Sequence, residues 1–99
     1  MVPYSYTRRS LRDIQAARCW YDAQGIDLGN RFVDAVLLAI RAAREHPQRY
    51  PEREPGVRAI GCEGFPSRVY YEPRQDEIVV RAVYHTARDP DRWDDPNRD

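Results

Sequence analysis

The residues best equipped for chemistry in this chain are Arg58, Arg68, Arg81, His85 and Arg88, all in its second half. Guanidinium groups fork onto phosphate and carboxylate oxygens. An imidazole near a strand end can serve as general acid or base around neutral pH. Gathered on one surface, these side chains would hold RNA phosphates or an acidic protein patch. The competing reading for each arginine is an ion pair with a nearby acid, because basic and acidic residues both number 16. Tyr70 and Tyr71 have faces on which bases can stack, although core packing is the ordinary use of at least one of them. His46 and His85 are not at metal-ligand spacing, and no glycine-rich phosphate loop or Ser-His-Asp spacing is present, so no metal and no cofactor is expected.

These side chains need strands to position them. Residues 57–62, 66–72 and 78–85 read as three strands rich in Val, Ile and Tyr, with a turn at Pro73-Arg74-Gln75-Asp76. Placing Tyr71 opposite Ile78 puts Val69, Tyr71, Ile78, Val80, Ala82 and Tyr84 on an apolar face. Arg68, Tyr70, Val79, Arg81, Val83 and His85 then share the opposite face. A short first strand is expected at 3–6.

Between that first strand and the sheet lie two helices. Ser10, with Asp13 in an imperfect capping box, opens the first, and Leu11, Ile14, Ala17 and Tyr21 follow at helical spacing up to Gly25. Asp27 opens the second. Its apolar stripe is Leu28, Phe32, Val36, Ile40 and Ala43, with Ala35 and Ala39 beside it, and Pro47 ends it. Arg31, Asp34, Arg41, Arg44 and Glu45 decorate its outer side. Residues 46–56 read as an ordered loop and 88–99 as a polar end with Trp93 as its large apolar residue. The expected fold class is α+β: an N-terminal antiparallel helical hairpin packed on one face of a small antiparallel β-sheet.

Composition narrows the function classes. A chain of 99 residues makes one domain, expected to span 1–99, with a modest core and little room for a deep pocket. Recognition through an exposed face is therefore favoured over catalysis on a small molecule. All basic residues are arginine and the formal net charge is zero, which argues against a general nucleic-acid coat but not against a local basic face. Cys19 and Cys62 read as reduced, buried, small apolar residues. No stretch is apolar enough to span a bilayer and no signal-peptide run opens the chain, so a cytoplasmic protein is expected, with no membrane partner.

An ordered set of residues then carries a resemblance: Trp20-Tyr21, Gly29 with Phe32, His46-Pro47, Phe65-Pro66, Arg68 with Tyr70-Tyr71, His85, Arg88-Asp89-Pro90 and Trp93. In this order, over almost the whole length, the chain resembles the ParE/RelE toxin superfamily, and its ParE-like branch in particular. The resemblance implies a toxin of a type II toxin–antitoxin (plasmid stabilisation) system, neutralised by a cognate ParD-like antitoxin. ParE-like members inhibit DNA gyrase, whereas RelE-like members cleave mRNA in the ribosome. For a nuclease, Arg68, Arg88 and His85 would be the catalytic candidates. For target binding in general, the candidates are Arg58, Arg68, Arg81, His85, Arg88 and Trp93. Only Arg58 stands where RelE-like chains usually carry two basic residues, and Trp93 is nearest the position of their C-terminal tyrosine, so the gyrase branch is preferred. Ser67 stands where ParE-like chains often have an aromatic residue, Arg81 where they have an aliphatic one, and residues 61–64 lack a basic residue often found there. The ribosomal nuclease and an inert interaction module are the two alternatives. Apolar grooves near Trp20 and Leu38 are the expected antitoxin-binding places.

Overall fold

Residues 1–85 of the chain are described by a computed structural model. The expectations placed on Arg88 and Trp93 lie outside the described residues. Seven elements follow one another: β1 (Tyr4–Tyr6), α1 (Arg8–Gln24), α2 (Leu28–Glu45), β2 (Glu52–Glu54), β3 (Val57–Gly61), β4 (Ser67–Pro73) and β5 (Ile78–His85). The five strands form one sheet in the order β1-β5-β4-β3-β2. The helical hairpin covers one face of it, as the periodicity of α1 and α2 requires.

The stripe on α2 folds as its spacing dictates: Phe32, Ala35, Val36, Ala39, Ile40 and Ala43 are all buried. They meet Val69, Tyr71, Ile78, Val80 and Val83 of the sheet. α1 is more lightly embedded, with Ser10 and Tyr21 as its buried residues, and Leu11, expected in the core, is half exposed. Arg44 also departs from expectation. Its Nε donates to the Val2 carbonyl at 2.7 Å and its guanidinium lies 4.9 Å from the Tyr4 ring centre, tying β1 to α2.

Three further differences have clear physical causes. α1 begins earlier than Ser10, because Thr7 is the cap: its hydroxyl accepts from the Ser10 N–H at 3.1 Å. β1 joins the sheet parallel to β5, which makes the sheet mixed. β2 lies within the expected loop at 46–56, where its Glu-Arg-Glu sequence keeps an edge strand charged.

The fourth difference changes the faces. Tyr71 pairs with Val80 rather than Ile78, and Tyr70 pairs with Ala82, so Arg81 is an extra residue in β5. A bulge of this kind puts two consecutive side chains on the same side and reverses the alternation beyond it. Ile78 and Val80 face the helices as expected. Past Arg81 the order inverts: Val83 and His85 turn toward the helix side, and Ala82 and Tyr84 toward the outer side. There Ala82 and Tyr84 join Val57, Ala59 and Tyr70 in a second buried cluster. Thr7 holds the bulge in place, its N–H donating to the Val80 carbonyl at 3.0 Å and its hydroxyl to the Arg81 carbonyl at 3.0 Å.

Both cysteines are free thiols, but only Cys62 is buried, and Cys19 is exposed on α1. Burial pushes the Cys62 thiol up to about 12, so it stays protonated and unreactive. One equivalent of iodoacetamide is therefore expected to label the native protein, at Cys19. Peptide mapping that finds Cys62 labelled as fast as Cys19 would contradict the fold.

Candidate functional site

The bulge divides the arginines and the histidine that sequence placed together. Arg68 and Arg81 remain on the outer face. Arg81 is held there by Glu72, Nη1 to Oε1 at 2.7 Å, and Arg74 approaches the same carboxylate oxygen at 3.5 Å. The Arg81 Nε is buried without a hydrogen-bond partner among the described residues. Arg58 pairs with Tyr71 across the strands and so faces the helix side, where its Nη1 donates to the Tyr50 carbonyl at 2.6 Å. His85 pairs with Ser67 and also faces the helix side. Arg68 and His85 thus lie on opposite faces of the sheet. Tyr70 and Tyr71 are both buried and neither offers a face for a base.

His85 instead opens onto a cleft of about 330 Å³ between α1 and the last residues of β5. The cleft has a polar end and an apolar end. Arg9, Asp13, Tyr84 and His85 form the first, and Trp20, Tyr21 and Phe32 the second. The apolar end is built on an aromatic cluster. Tyr21 stacks 5.0 Å from Phe32, and both lie edge-to-face with Phe65, at 5.0 and 5.4 Å. Trp20 packs edge-on against Tyr21 yet remains 53% exposed at the rim. Leu38, the other expected antitoxin contact, is 64% exposed on the outer side of α2.

Asp13 organises the polar end. β1 stops at the level of Val80, so β5 continues without a strand on that side. The Asp13 carboxylate takes the place of one, accepting the Val83 N–H at 3.0 Å, while Arg9 Nε sits 3.4 Å away. Arg9 also donates to the Tyr84 hydroxyl and lies over that ring. Sequence reading missed Arg9, Asp13, Ser67 and Tyr84 as cleft residues, since their meeting depends on the bulge.

Burial raises the Asp13 pKa, and the Val83 N–H and Arg9 oppose that rise only in part. A carboxyl whose pKa is higher when folded binds its proton more tightly in the native state, so its contribution to stability declines as pH rises from the unfolded value through the folded one. Asp13→Asn keeps an acceptor for Val83 and removes this decline. The stability difference between wild type and Asp13→Asn is expected to shift against the wild type as pH rises through that acidic window. Urea titrations at several acidic pH values check it, and a difference independent of pH would contradict it. Asp13→Ala should cost more, about 1–3 kcal/mol, because it leaves the Val83 N–H unpaired.

Residues 4–90 match the family described as the ParE toxin of the type II toxin–antitoxin system parDE. The chain belongs to the ParE toxin family. No curated protein matches it by sequence. Among solved structures, it is similar to a chain of the chromosomal ParDE toxin–antitoxin system from P. aeruginosa, with 19% identity and a TM-score of 0.75 over 86% of this chain and 96% of that one. At that identity the likeness is one of fold, and it extends to the mixed sheet under a helical hairpin. Among the described residues of this ParE-family toxin, no helix is long and apolar enough to cross a membrane, and no group of His, Cys, Asp and Glu is placed to hold a metal ion.

Proposed function

We propose that this ParE-family toxin inhibits DNA gyrase and is neutralised by a cognate ParD-like antitoxin encoded beside it. The observation that carries the reading is the family match over residues 4–90. Of the nuclease candidates, Arg68 and His85 lie on opposite faces of the sheet and Arg88 lies outside the described residues. Arg68 on the outer face is the cation offered to the target, with Arg81, held by Glu72, beside it. Trp20 and Leu38, large apolar side chains exposed on the helical hairpin, are offered to the antitoxin.

The decisive measurement is supercoiling by purified gyrase with increasing toxin. Inhibition is expected near stoichiometric toxin, and Arg68→Ala and Arg81→Ala should each weaken it. Full supercoiling at large toxin excess rejects the gyrase reading. Cuts in translated mRNA seen by primer extension would replace it with the nuclease.

A further inference from the structure

We propose that residues 86–99 cross the outer face of the sheet as a strap, pinned by the Trp93 indole on Tyr70, Ala82 and Tyr84. The strap does not depend on what the target is. It gives Trp93 a place within the fold instead of on the target.

The outer face is buried, yet no element among the described residues lies over it. Val57, Ala59, Tyr70, Ala82 and Tyr84 are only 0% to 8% exposed, and every member of this cluster is a sheet residue. A single layer of side chains does not exclude water by itself, because a sheet face is buried only against a second layer. Both helices pack on the other face, and the remaining described segments are placed elsewhere. Val2 is tied to α2 through Arg44. The loop after α2 is held on the helix side, where the Tyr71 hydroxyl donates to the Pro47 carbonyl at 2.8 Å. Phe65, in the turn before β4, joins the aromatic cluster beneath the helices. The turn before β5 closes on itself, with the Arg74 N–H donating to the Glu77 carbonyl at 2.8 Å. Arg9 reaches only the rim of the face, at the Tyr84 ring. The length of chain left to supply the cover is 86–99.

Reach, charge and composition suit that segment to the place. It follows directly from His85, at the end of β5 beside the cluster. Ala82 lies about 10 Å back along β5, and β3 lies about 10 Å across the sheet. Trp93 comes eight residues after His85 and so reaches about 26 Å. That distance leaves room for a turn at Arg88-Asp89-Pro90 and a return over the strands. Residues 86–99 hold five aspartates against three arginines, whereas the face carries Arg68, Arg74 and Arg81 against Glu72. The two are therefore complementary in charge. Trp93 is the one large apolar side chain the segment offers.

The cluster also has a seat for an indole. Ala59, Tyr70 and Ala82 stand side by side across β3, β4 and β5, so a small side chain flanks the Tyr70 ring on each side. Tyr84 meets Tyr70 edge-to-face at 5.6 Å. An indole laid over Ala82 touches both rings, in the offset and edge-on contacts that aromatic side chains favour. The strap then borders Arg68, the ladder partner of Tyr84. A target drawn to that arginine meets the strap beside it.

The full chain carrying Trp20→Phe tests this, because Trp93 is then its one tryptophan. Trp20 is 53% exposed, so the exchange leaves the core in place. Nuclear Overhauser effects are expected from the Trp93 indole protons to the Ala82 methyl and to the Tyr70 and Tyr84 rings. The indole fluorescence should be blue-shifted from that of the urea-unfolded chain and shielded from iodide. Trypsin gives a second reading, since cleavage after Arg88 requires the strap to lift. Adding Trp93→Ala leaves the residues flanking that bond unchanged. It should speed the cleavage at least about tenfold, the effect of losing one buried aromatic side chain from the closed state. Overhauser effects to side chains of α1 or α2, or to none, overturn the proposal. So do emission like that of the unfolded chain and equal cleavage rates with and without the indole. The Overhauser and fluorescence measurements need no substitution in the strap, so they decide the matter even where Trp93→Ala disturbs the fold. Gyrase plays no part in any of them, so a negative supercoiling assay is a separate failure.

Discussion

Phe32→Ala should lower the unfolding free energy by about 3–5 kcal/mol, the range for emptying a buried aromatic site. Phe32 is fully buried, and its ring joins α1 through Tyr21 to the turn before β4 through Phe65. No neighbour can collapse into the space, because Tyr21 and Phe65 already pack edge-to-face on each other. Domains of this size are stable by roughly 5–15 kcal/mol, so the loss is a large part of the total. The urea midpoint should fall sharply with an unchanged m-value. Phe32→Leu should retain more than half of what alanine loses. A loss under about 1 kcal/mol would mean that the aromatic cluster is not packed as described. The same substitution removes one wall of the cleft, so the variant should also bind its partner poorly at temperatures where it remains folded.

How much of this arrangement can be read from residues alone depends on whether one side chain or a pairing register decides it. The α2 stripe follows from periodicity and is buried as its pattern implies, and β5 keeps the bounds expected of it. Arg81 marks the opposite case. Its neighbours alternate well enough to suggest an unbroken strand, and nothing in Val-Val-Arg-Ala-Val announces an inserted residue. The bulge is set by Thr7, 74 positions away, whose amide and hydroxyl take two consecutive carbonyls of β5. One insertion then exchanges Ala82 and Tyr84 for Val83 and His85, and moves His85 from the arginine face to the cleft. Asp13 shows the same thing on a smaller scale. A carboxylate three residues after Ser10 looks like part of a capping box, but tertiary structure uses it to satisfy the edge of β5. The cap itself falls to Thr7, three residues before Ser10, by the same hydroxyl chemistry. Residues whose role is local were legible, and residues whose role is to meet a distant strand were not.

Gly29→Ala should destabilise the fold by about 2–3 kcal/mol, although alanine is the better helix former by about 1 kcal/mol. The reason lies at the elbow of the hairpin. Asp27 occupies the cap position of α2 in a left-handed conformation, φ 64, and its own side chain makes no cap bond. The capping role passes to Asp22 of α1, whose Oδ1 accepts the Gly29 N–H at 3.0 Å, and Arg18 Nη2 reaches Asn30 Oδ1 at 2.8 Å beside it. A Cβ on residue 29 would stand 2.2 Å from that Asp22 oxygen and 2.7 Å from the Arg18 carbonyl. The carboxylate can swing away, at the loss of the cap, worth about 1 kcal/mol. The carbonyl cannot, because it belongs to the backbone of α1, so the two helices must part. Parting them loosens α1 on the sheet, and with it Asp13, Trp20 and the cleft. For a domain near 100 residues the melting temperature should drop by roughly 10–20 °C. Asp22→Ala separates the two contributions: alone it should cost the cap, and combined with Gly29→Ala it should recover only part of the loss, because the carbonyl contact remains. Thermal melts of the four proteins in this cycle decide the matter. A Gly29→Ala variant as stable as wild type would mean that α1 and α2 do not approach this closely.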